Sequence, residues 1–399
     1  MEQESIYKDI AVIGLGASGG LFSVLAVKNP YNKVTAFDLK EPFSTLLPTG
    51  GGRCNLTYDE DDIKEFAKNY PRGEKFLLSV FSKMPQNKTR VLFNDLGVKT
   101  YVQPDKRVFP ITDSSKKTAL ILQKHLQTSN FRHIKEKVIS ITKKEDIFEI
   151  KTKESTYKFN NVIIATGGKG IEPLKTTEHN IIEQRPSLTA FDIKEKELYS
   201  LSGLSFKNVQ INARFEKHKY NAAGDILFTH KSISGPAVFK ISALSAYDDF
   251  SENNPMEITI KLTDFTLEEI EDEIKINSKK SIKKVFSKFA PESFINCILN
   301  SNNIDGTKQT AQLKKKEKEI LFKALTELKL HIQGRIKDSE IVTAGGVDLN
   351  EINSKTMESK LVPNLFFIGE VLNIDGFTGG FNLQNCWSTA YICSLNFNN

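Results

Sequence analysis

Cysteine is scarce in this sequence, which has four cysteines in 399 residues. Cys54, Cys297, Cys386 and Cys393 form no CxxC pair and no cluster with histidine at zinc-ligand spacing, so neither disulfides nor a metal site is expected. No run approaches the ~20 apolar residues that cross a bilayer, and the polar N-terminus lacks the apolar stretch of a secretory signal. We therefore expect a cytoplasmic protein with no metal and no membrane partner.

A strong charge excess is also missing. Lys and Arg number 55 against 49 Asp and Glu, and the excess is spread along the chain instead of forming an arginine-rich arm. This distribution gives little support to a nucleic-acid partner, and none is expected. The excess is compatible with anionic ligands such as dinucleotides, although a solvated basic surface is the simpler interpretation.

The order of the predicted elements divides the chain into four segments. Segment 1–187 begins with a predicted βαβ unit of a parallel sheet, formed by DIAVIG, a helical pattern and KVTAFD. A charged helical excursion at 59–126 and an antiparallel meander then precede the next strand of the sheet, NVIIATGG. Segment 188–265 predicts a separate β domain, and segment 266–335 predicts a helical subdomain with a solvated charged face. In segment 336–399 the sheet pattern returns with EIVTAGGV and LFFIGE, and a helix follows from about Asn382.

A GxGxxG motif, Gly14-Leu15-Gly16-Ala17-Ser18-Gly19, follows the first strand and opens the first helix. Such a turn directs backbone N–H groups and the positive end of a helix at a pyrophosphate, which glycines allow to approach. Asp38, followed by Leu39, lies 22 residues beyond Gly16 at the end of the second strand, where a carboxylate binds the hydroxyls of a ribose. FAD or NAD therefore fits better than NADP; the alternative is a glycine turn required only for packing.

The remainder of the chain favours FAD over NAD. The doubly wound sheet expected of a nicotinamide dehydrogenase breaks off, and glycine-ended strands return at Ala165-Thr166-Gly167 and at Gly369-Glu370. The Glu370 carboxylate would lie near the ribityl chain. Gly379-Gly380-Phe381-Asn382 opens a helix whose N-terminus would face the N1–C2=O edge of a flavin and raise its reduction potential. A plain loop before a helix is the alternative.

A third glycine-rich stretch, TGGGRCN, ends in Gly51-Gly52-Arg53-Cys54-Asn55. Successive glycines expose backbone amides, and Arg53 and Asn55 add donors, so the loop suits close passage over a phosphate or a flat ring. A flexible turn is the alternative. Cys54 could be a redox thiol, but an isolated cysteine is more often a small packing residue.

Several of these stretches occur together in one known family. GLGASGG, TGGGRCNLT, KRVFP, IIATGG, LSGLSFKNV, ILFTHKSISGPAVFKISA, TAGGV and TMESKLVPNLFFIGEVLNIDGFTGGFNLQ follow one another along nearly the whole chain. The sequence resembles the BaiN/YhiN-type flavoproteins, known as NAD(P)/FAD-dependent oxidoreductases or as the aminoacetone oxidase family. The resemblance implies an α/β fold with a glutathione-reductase-like FAD-binding Rossmann domain built from both chain ends, an inserted β-barrel-like domain and a helical subdomain.

The resemblance also implies roles for individual residues. The GxGxxG turn would bind the pyrophosphate and Asp38 the adenosine ribose, Val138 would clasp adenine through backbone atoms, and the TGGGRCN loop and the C-terminal glycines would enclose the flavin. The full predicted FAD set is Gly14, Gly16, Ala17, Ser18, Gly19, Asp38, Leu39, Gly51, Gly52, Arg53, Cys54, Asn55, Val138, Ala165, Thr166, Gly167, Gly369, Glu370, Gly379, Gly380, Phe381 and Asn382. The sequence departs from the family pattern at FSTLLP (43–48) and GIEPLK (170–175), which bears on the substrate more than on flavin binding.

These expectations lead to one hypothesis and two alternatives. The hypothesis is hydride transfer through flavin N5 from NADH or NADPH to a small organic acceptor, such as a conjugated C=C bond. Because the chain has no second GxGxxG motif for a separate NAD(P)H domain, the nicotinamide nucleotide would bind only transiently at the flavin. The alternatives are an amine or aminoketone oxidase that uses oxygen, and a non-catalytic or RNA-associated flavoprotein. His230 and Asp375 are candidate acid–base groups, but no catalytic residue is assigned and the oligomeric state is left open.

Overall fold

The computed structural model describes residues 7–336 and 339–398. Its internal contacts divide the chain into two units, one formed by Met1–Arg185 with Val342–Asn399 and one by Pro186–Ile341. Within the described residues, none of the helices combines the length and the apolar character needed to cross a membrane. The first unit therefore contains both ends of the chain, and the second is inserted between them.

A parallel five-stranded sheet forms the centre of the first unit. Its strands, in spatial order, are β19 (Leu365–Phe367), β10 (Asn161–Ile164), β1 (Lys8–Ile13), β2 (Asn32–Phe37) and β6 (Phe131–Ile134). The central strands are continuous apolar runs, as expected for a parallel sheet that is covered on both faces. Helix α1 (Ala17–Ala26) carries no charged residue, is buried along all ten residues and packs against α11 (Phe381–Ser394). The two ends of the chain thus share one core.

Two excursions leave this sheet, as the sequence predicts. The first contains helices and a small antiparallel sheet: α2 (Ile63–Ala67), α3 (Glu74–Lys83), α4 (Gln86–Asp95), α5 (Ser115–Lys124), β3 (Thr57–Tyr58), β4 (Thr100–Val102) and β5 (Arg107–Pro110). The second is the predicted antiparallel meander of β7 (Ser140–Lys144), β8 (Ile147–Lys151) and β9 (Thr156–Phe159). The alternating and helical periodicities behind both expectations are local signals in the sequence.

The EIVTAGGV stretch does not rejoin the main sheet, so that expectation was wrong. Its strand, β18 (Val342–Val347), pairs with β11 (Ile181–Leu188) in a separate two-stranded sheet. A Cβ atom at Gly345 would lie 2.2 Å from the carbonyl oxygen of Glu183, and one at Gly346 would lie 2.4 Å from that of Val371. The two glycines therefore permit a close backbone approach in place of ordinary sheet packing.

The second unit is a closed barrel with attached helices. The barrel runs, in spatial order, β12 (Phe191–Ile193), β15 (Ser232–Ser234), β14 (His218–Phe228), β13 (Ser205–Phe215), β16 (Met256–Lys261) and β17 (Leu328–Arg335). The helices are α6 (Pro236–Leu244), α7 (Leu267–Ile276), α8 (Ile282–Phe286), α9 (Glu292–Ser301) and α10 (Lys315–Thr326).

Strand β17 lies in segment 266–335, which the sequence predicted to be helical, and this part of the prediction was wrong. Its residues Leu328, Leu330 and Ile332 are buried and alternate with polar residues, which is the pattern of a strand with one face on the core. By pairing with both β12 and β16 it closes the barrel. The four-segment division itself remains a proposal.

Candidate functional site

The carboxyl ends of four parallel strands lie side by side in the first unit. The Gly14 N–H donates to Phe37 O at 2.9 Å, the Ala165 N–H to Ile13 O at 2.9 Å, and the Ile368 N–H to Ile164 O at 3.0 Å. The glycine-rich ends of β1, β10 and β19 and the acidic end of β2 are therefore neighbours. Open α/β sheets bind their ligands beyond this edge.

The GxGxxG turn is tightly packed on the protein side. Gly14 has φ +98°, and a Cβ atom there would lie 2.4 Å from Ala165 O; one at Gly19 would lie 2.0 Å from Gly14 O. No side chain caps the start of α1 after Gly16. Because the first turn of a helix has N–H groups without intrahelical acceptors, the N–H groups of Ala17 and Ser18 are suited to an anion.

Asp38 fastens the end of β2 to this turn. Its Oδ2 accepts from the Leu15 N–H at 2.7 Å, and its Oδ1 accepts from the Lys40 N–H at 2.9 Å. The residue is half-buried, and the adjoining Leu39 is exposed. Each carboxylate oxygen keeps acceptor capacity, so the geometry is compatible with the predicted ribose contact.

The TGGGRCN loop contains four successive or near-successive left-handed residues. The φ values are +59° at Gly50, +66° at Gly51, +83° at Gly52 and +65° at Cys54. A Cβ atom at Gly51 or Gly52 would meet nothing within 4 Å. These two glycines therefore present backbone to open space, whereas most glycines of the GxGxxG turn touch protein.

The polar and thiol side chains of this loop are directed at the protein. The Arg53 guanidinium lies 4.1 Å from the centre of the Phe109 ring, and its Nη1 is 3.9 Å from Asp113 Oδ1. Cys54 is fully buried, and burial raises the pKa of its thiol from 9.0 to about 12. A thiol with that pKa stays protonated at neutral pH, which agrees with the packing interpretation of Cys54.

The end of the loop is joined to helix α11, more than 320 residues later in the chain. With the Asn55 amide oriented so that Nδ2 donates to Thr57 O, its Oδ1 accepts from the Gly380 N–H at 3.2 Å. The Thr57 hydroxyl donates to Gln384 Oε1 at 2.7 Å, and the Trp387 indole N–H donates to the carbonyl of Leu56 at 3.0 Å. The TGGGRCN loop and the start of helix α11 thus form one continuous surface, here called the wall.

The start of α11 is shaped by left-handed glycines, Gly379 at φ +133° and Gly380 at φ +99°, and no side chain caps it. The Asn382 side chain is already engaged: Oδ1 accepts from the Gly376 N–H at 2.8 Å, and Nδ2 donates to Gly376 O at 2.7 Å. Phe381 is buried against Tyr58, with ring centres 5.0 Å apart. At Phe381 and Asn382, backbone atoms rather than side chains are available for the predicted role.

Residues at the ends of β10 and β19 complete the edge. The Gly369 N–H donates to Thr389 Oγ1 at 2.9 Å, and a Cβ atom at Gly369 would lie 2.4 Å from Ser18 Oγ. Glu370 Oε1 accepts from the Thr343 N–H at 2.8 Å, so one of its oxygens faces β18. Val138, the predicted adenine contact, is buried just before β7.

This arrangement fits a bound FAD. Among the described residues, the buried Thr166 Oγ1 has no hydrogen-bond partner, and nothing lies within 4 Å of the Cβ position of Gly167, at φ +71°. Together with the open faces of Gly51 and Gly52 and the two uncapped helix starts, these groups are the unsatisfied donors and approachable backbone that a dinucleotide requires. All predicted cofactor residues lie in the first unit.

The two candidate acid–base groups differ in position. Asp375 is fully buried, and both carboxylate oxygens accept from Arg72, one from Nε and one from Nη2. Sequence reasoning missed Arg72, which lies 303 residues from Asp375 in a stretch without a motif. His230 is exposed in the turn between β14 and β15 of the second unit. Neither position assigns a catalytic residue.

The fold and this edge define a Rossmann-type FAD-dependent oxidoreductase, a flavoprotein enzyme. The profile of the family described as "HI0933-like protein Rossmann domain" matches residues 8–396, and the chain belongs to that family.

Three named relatives align over nearly their whole length. The "Ribosomal RNA dihydrouridine synthase" of Haemophilus influenzae is 30% identical, with 98% of each chain covered. The protein of the same name in Escherichia coli is 28% identical, with 97% of each covered. The "3-dehydro-bile acid delta(4,6)-reductase" of Clostridium scindens is 24% identical, with 96% of this chain and 97% of the relative covered.

Among solved structures, the Escherichia coli quinol fumarate reductase FrdA aligns with 98% of this chain and 70% of its own at 11% identity, with a TM-score of 0.49. Aquifex aeolicus GidA aligns with 100% of this chain and 64% of its own at 13% identity, with a TM-score of 0.41. At these scores neither structure bears on the activity.

Proposed function

We propose that this protein is an FAD-dependent reductase that adds two hydrogens across a conjugated C=C bond of a uracil base in ribosomal RNA, with NADH or NADPH as the hydride source. The names of the relatives support this reaction class, since dihydrouridine is uridine with a reduced ring double bond and a delta(4,6)-reductase also reduces C=C bonds. The proposal departs from the sequence-based expectation of no nucleic-acid partner. With such a substrate, we expect a cytoplasmic location.

One observation carries the flavin part of the proposal: the Asn55–Gly380 contact joins the open-faced loop at Gly51 and Gly52 to the uncapped start of α11. Such a wall places the approachable backbone of Gly51 and Gly52 on the same surface as the start of α11, whose first turn has no capping side chain of its own. Positive helix ends directed at a flavin favour its anionic reduced form.

In the reaction, bound FAD supplies the redox chemistry, so that one hydride from the nicotinamide and one proton from water end on adjacent ring carbons. The chain supplies binding and orientation. The amides of Ala17 and Ser18 would hold the pyrophosphate of the bound FAD, and Asp38 would hold its adenosine ribose. The pair between Arg72 and the buried Asp375 positions the backbone that leads into α11, because Asp375 precedes the Gly376 contact with Asn382.

The cofactor is tested by purification. We expect a yellow protein with absorbance at about 450 nm, which bleaches within seconds on anaerobic addition of NADH or NADPH. Gly52→Ala should purify with little FAD. Gly203→Ala, which has the same left-handed backbone (φ +90°) and equally open surroundings, should retain it. A colourless protein that takes up no added FAD would overturn the assignment.

The substrate is tested by mass spectrometry of nucleosides from treated RNA. Unmodified ribosomal RNA made in vitro is incubated with the enzyme and NADPH or NADH, digested to nucleosides and examined for uridine carrying two added hydrogens. Formation of dihydrouridine with wild type, and its absence with Gly52→Ala, supports the proposal.

A second candidate function, reduction of a small conjugated ketone, is favoured by the relative named for a bile acid. NAD(P)H oxidation that depends on a small enone but never on RNA would select it. Hydrogen peroxide formed in air with an amine or aminoketone would instead select an oxidase, the alternative raised from the sequence.

A further inference from the structure

Two lysine-rich segments that are separate in the sequence meet on the second unit. Residues 277–291 contain five lysines and no acidic residue, and residues 306–316 contain four lysines and no acidic residue. Main-chain hydrogen bonds join them: the Ile282 N–H donates to Lys308 O at 2.9 Å, and the Thr310 N–H donates to Lys280 O at 2.9 Å. A further bond runs from the Lys283 N–H to the carbonyl of Gly306 at 3.0 Å.

This pairing produces a basic surface, here named the lysine surface and formed by Lys279, Lys280, Lys283, Lys284 and Lys308. Lys279, Lys280 and Lys284 are exposed, and Lys308 is half-buried. Lys314, Lys315 and Lys316 extend it toward the start of α10, and all three are exposed.

Of the five lysines of this surface, one is paired with a nearby acidic side chain. Glu292 pairs with Lys283 at 2.6 Å, and Glu273 pairs with Lys288. Asp305 accepts from the Thr307 hydroxyl at 2.6 Å. In the part of the chain that the structure describes, no carboxylate lies within 4 Å of the amino groups of Lys279, Lys280, Lys284 or Lys308.

We infer that the lysine surface binds the phosphate backbone of the RNA substrate; this inference rests on the proposed function. Lysine amino groups act as strongly hydrated point charges that contact phosphates without reading sequence. A surface of this kind contributes affinity that depends on salt, while base selection is left to the flavin site. Its partner is thus the sugar–phosphate chain of a folded RNA.

The test replaces Lys279, Lys280 and Lys284 together with glutamine. The matched control replaces Lys99, Lys153 and Lys158, three exposed lysines of the first unit that have no ion pair among the described residues, so the change in net charge is equal. A third variant with arginine at 279, 280 and 284 retains the charge. Fluorescence anisotropy with ribosomal RNA made in vitro gives the affinity and its salt dependence.

We expect the glutamine variant to bind RNA about ten- to a hundredfold more weakly than wild type at about 0.1 M salt. The slope of the logarithm of the binding constant against the logarithm of the salt concentration should be smaller in magnitude by about 2, because each of the three lost phosphate contacts contributes roughly 0.7. The control and the arginine variant should bind within about twofold of wild type. FAD content and flavin reduction by NAD(P)H without RNA should be unchanged in every variant, which excludes misfolding as the cause.

The outcomes separate this inference from the proposed function. If wild type binds RNA and the glutamine variant binds equally well, the lysine surface is overturned while the proposed function stands. If wild type binds no RNA, both fail. If the glutamine variant loses affinity only for anionic phosphatidylserine vesicles, the surface serves a membrane and the inference fails.

Discussion

Two glycine-rich segments of the first unit have similar sequences but opposite surroundings. In the GxGxxG turn, a Cβ atom at Gly14 or Gly19 would lie 2.4 Å or 2.0 Å from a backbone oxygen. In the TGGGRCN loop, a Cβ atom at Gly51 or Gly52 would meet nothing within 4 Å. In the GxGxxG turn, glycine is required because a side chain would clash with protein. In the TGGGRCN loop, glycine is required by the positive φ angle, and the space beside it is left for a ligand. Substitutions should separate stability from cofactor binding accordingly.

The largest effect is expected for Gly19→Ala. The new methyl group would lie 2.0 Å from Gly14 O and 2.9 Å from Ala165 Cβ, so the turn has to move away from the end of β10. We expect a loss of about 3 kcal/mol in the free energy of unfolding of the apoprotein, measured by urea denaturation, together with loss of FAD. An unchanged denaturation midpoint would show that the close packing of this turn is not as described.

Gly52→Ala should have a smaller effect on stability and a larger one on the cofactor. Its φ of +83° costs an alanine about 1–2 kcal/mol. The new methyl group also enters the open space, so we expect FAD to bind at least about tenfold more weakly, or ~1.4 kcal/mol, by fluorescence titration of the apoprotein.

Gly203→Ala is the control for that experiment. Gly203, at φ +90° in the second unit, also has nothing within 4 Å of its Cβ position, so it should show the conformational cost without the loss of FAD affinity. Equal FAD affinity in both variants would contradict a ligand site at the loop.

Asn55→Ala should weaken the connection between the loop and α11. The amide contacts the Gly380 N–H and Thr57 O, each at 3.2 Å, and losing such bonds costs about 1 kcal/mol of unfolding free energy. FAD affinity should fall a few-fold, because the wall opens while Gly51 and Gly52 stay intact. Asn55→Asp keeps the acceptor for Gly380; if it is no better than alanine in a thermal melt, the Gly380 contact contributes nothing.

How much of this could be predicted from the sequence depends on the range of each signal. The strand–glycine–helix pattern at Gly14–Gly19, the acid at Asp38 and the start of α11 are local patterns, and the structure brings the first two to one edge of the sheet. Their joint position follows because the carboxyl ends of parallel strands share an edge. The contact between Asn55 and Gly380, in contrast, has no local signature.

The missed features all depend on partners far apart in the chain. The Arg72–Asp375 pair spans 303 residues, and β17 becomes a barrel strand only because β12 and β16 lie beside it. The alternating burial of β17 was visible in the sequence, but the helical pattern of α10 directly before it hid the change of period. The lysine surface was hidden in the same way, since composition counts charges without showing which segments pair.

Cys54→Ala should have the smallest effect and decides whether the open loop carries redox chemistry. Because the thiol is buried, we expect a loss of about 1 kcal/mol in stability and NAD(P)H-dependent flavin reduction within about twofold of wild type. The pKa of the folded thiol, about 12, lies above the ordinary 9.0, so its contribution to stability is complete below pH 9.0 and is lost as pH rises toward 12. Wild type should therefore lose stability faster than Cys54→Ala above pH 9.0, by at most about 1.4 kcal/mol per pH unit. Rapid alkylation of Cys54 in the native protein at neutral pH, or a large loss of flavin reduction, would instead identify a reactive thiol beside the two open glycines.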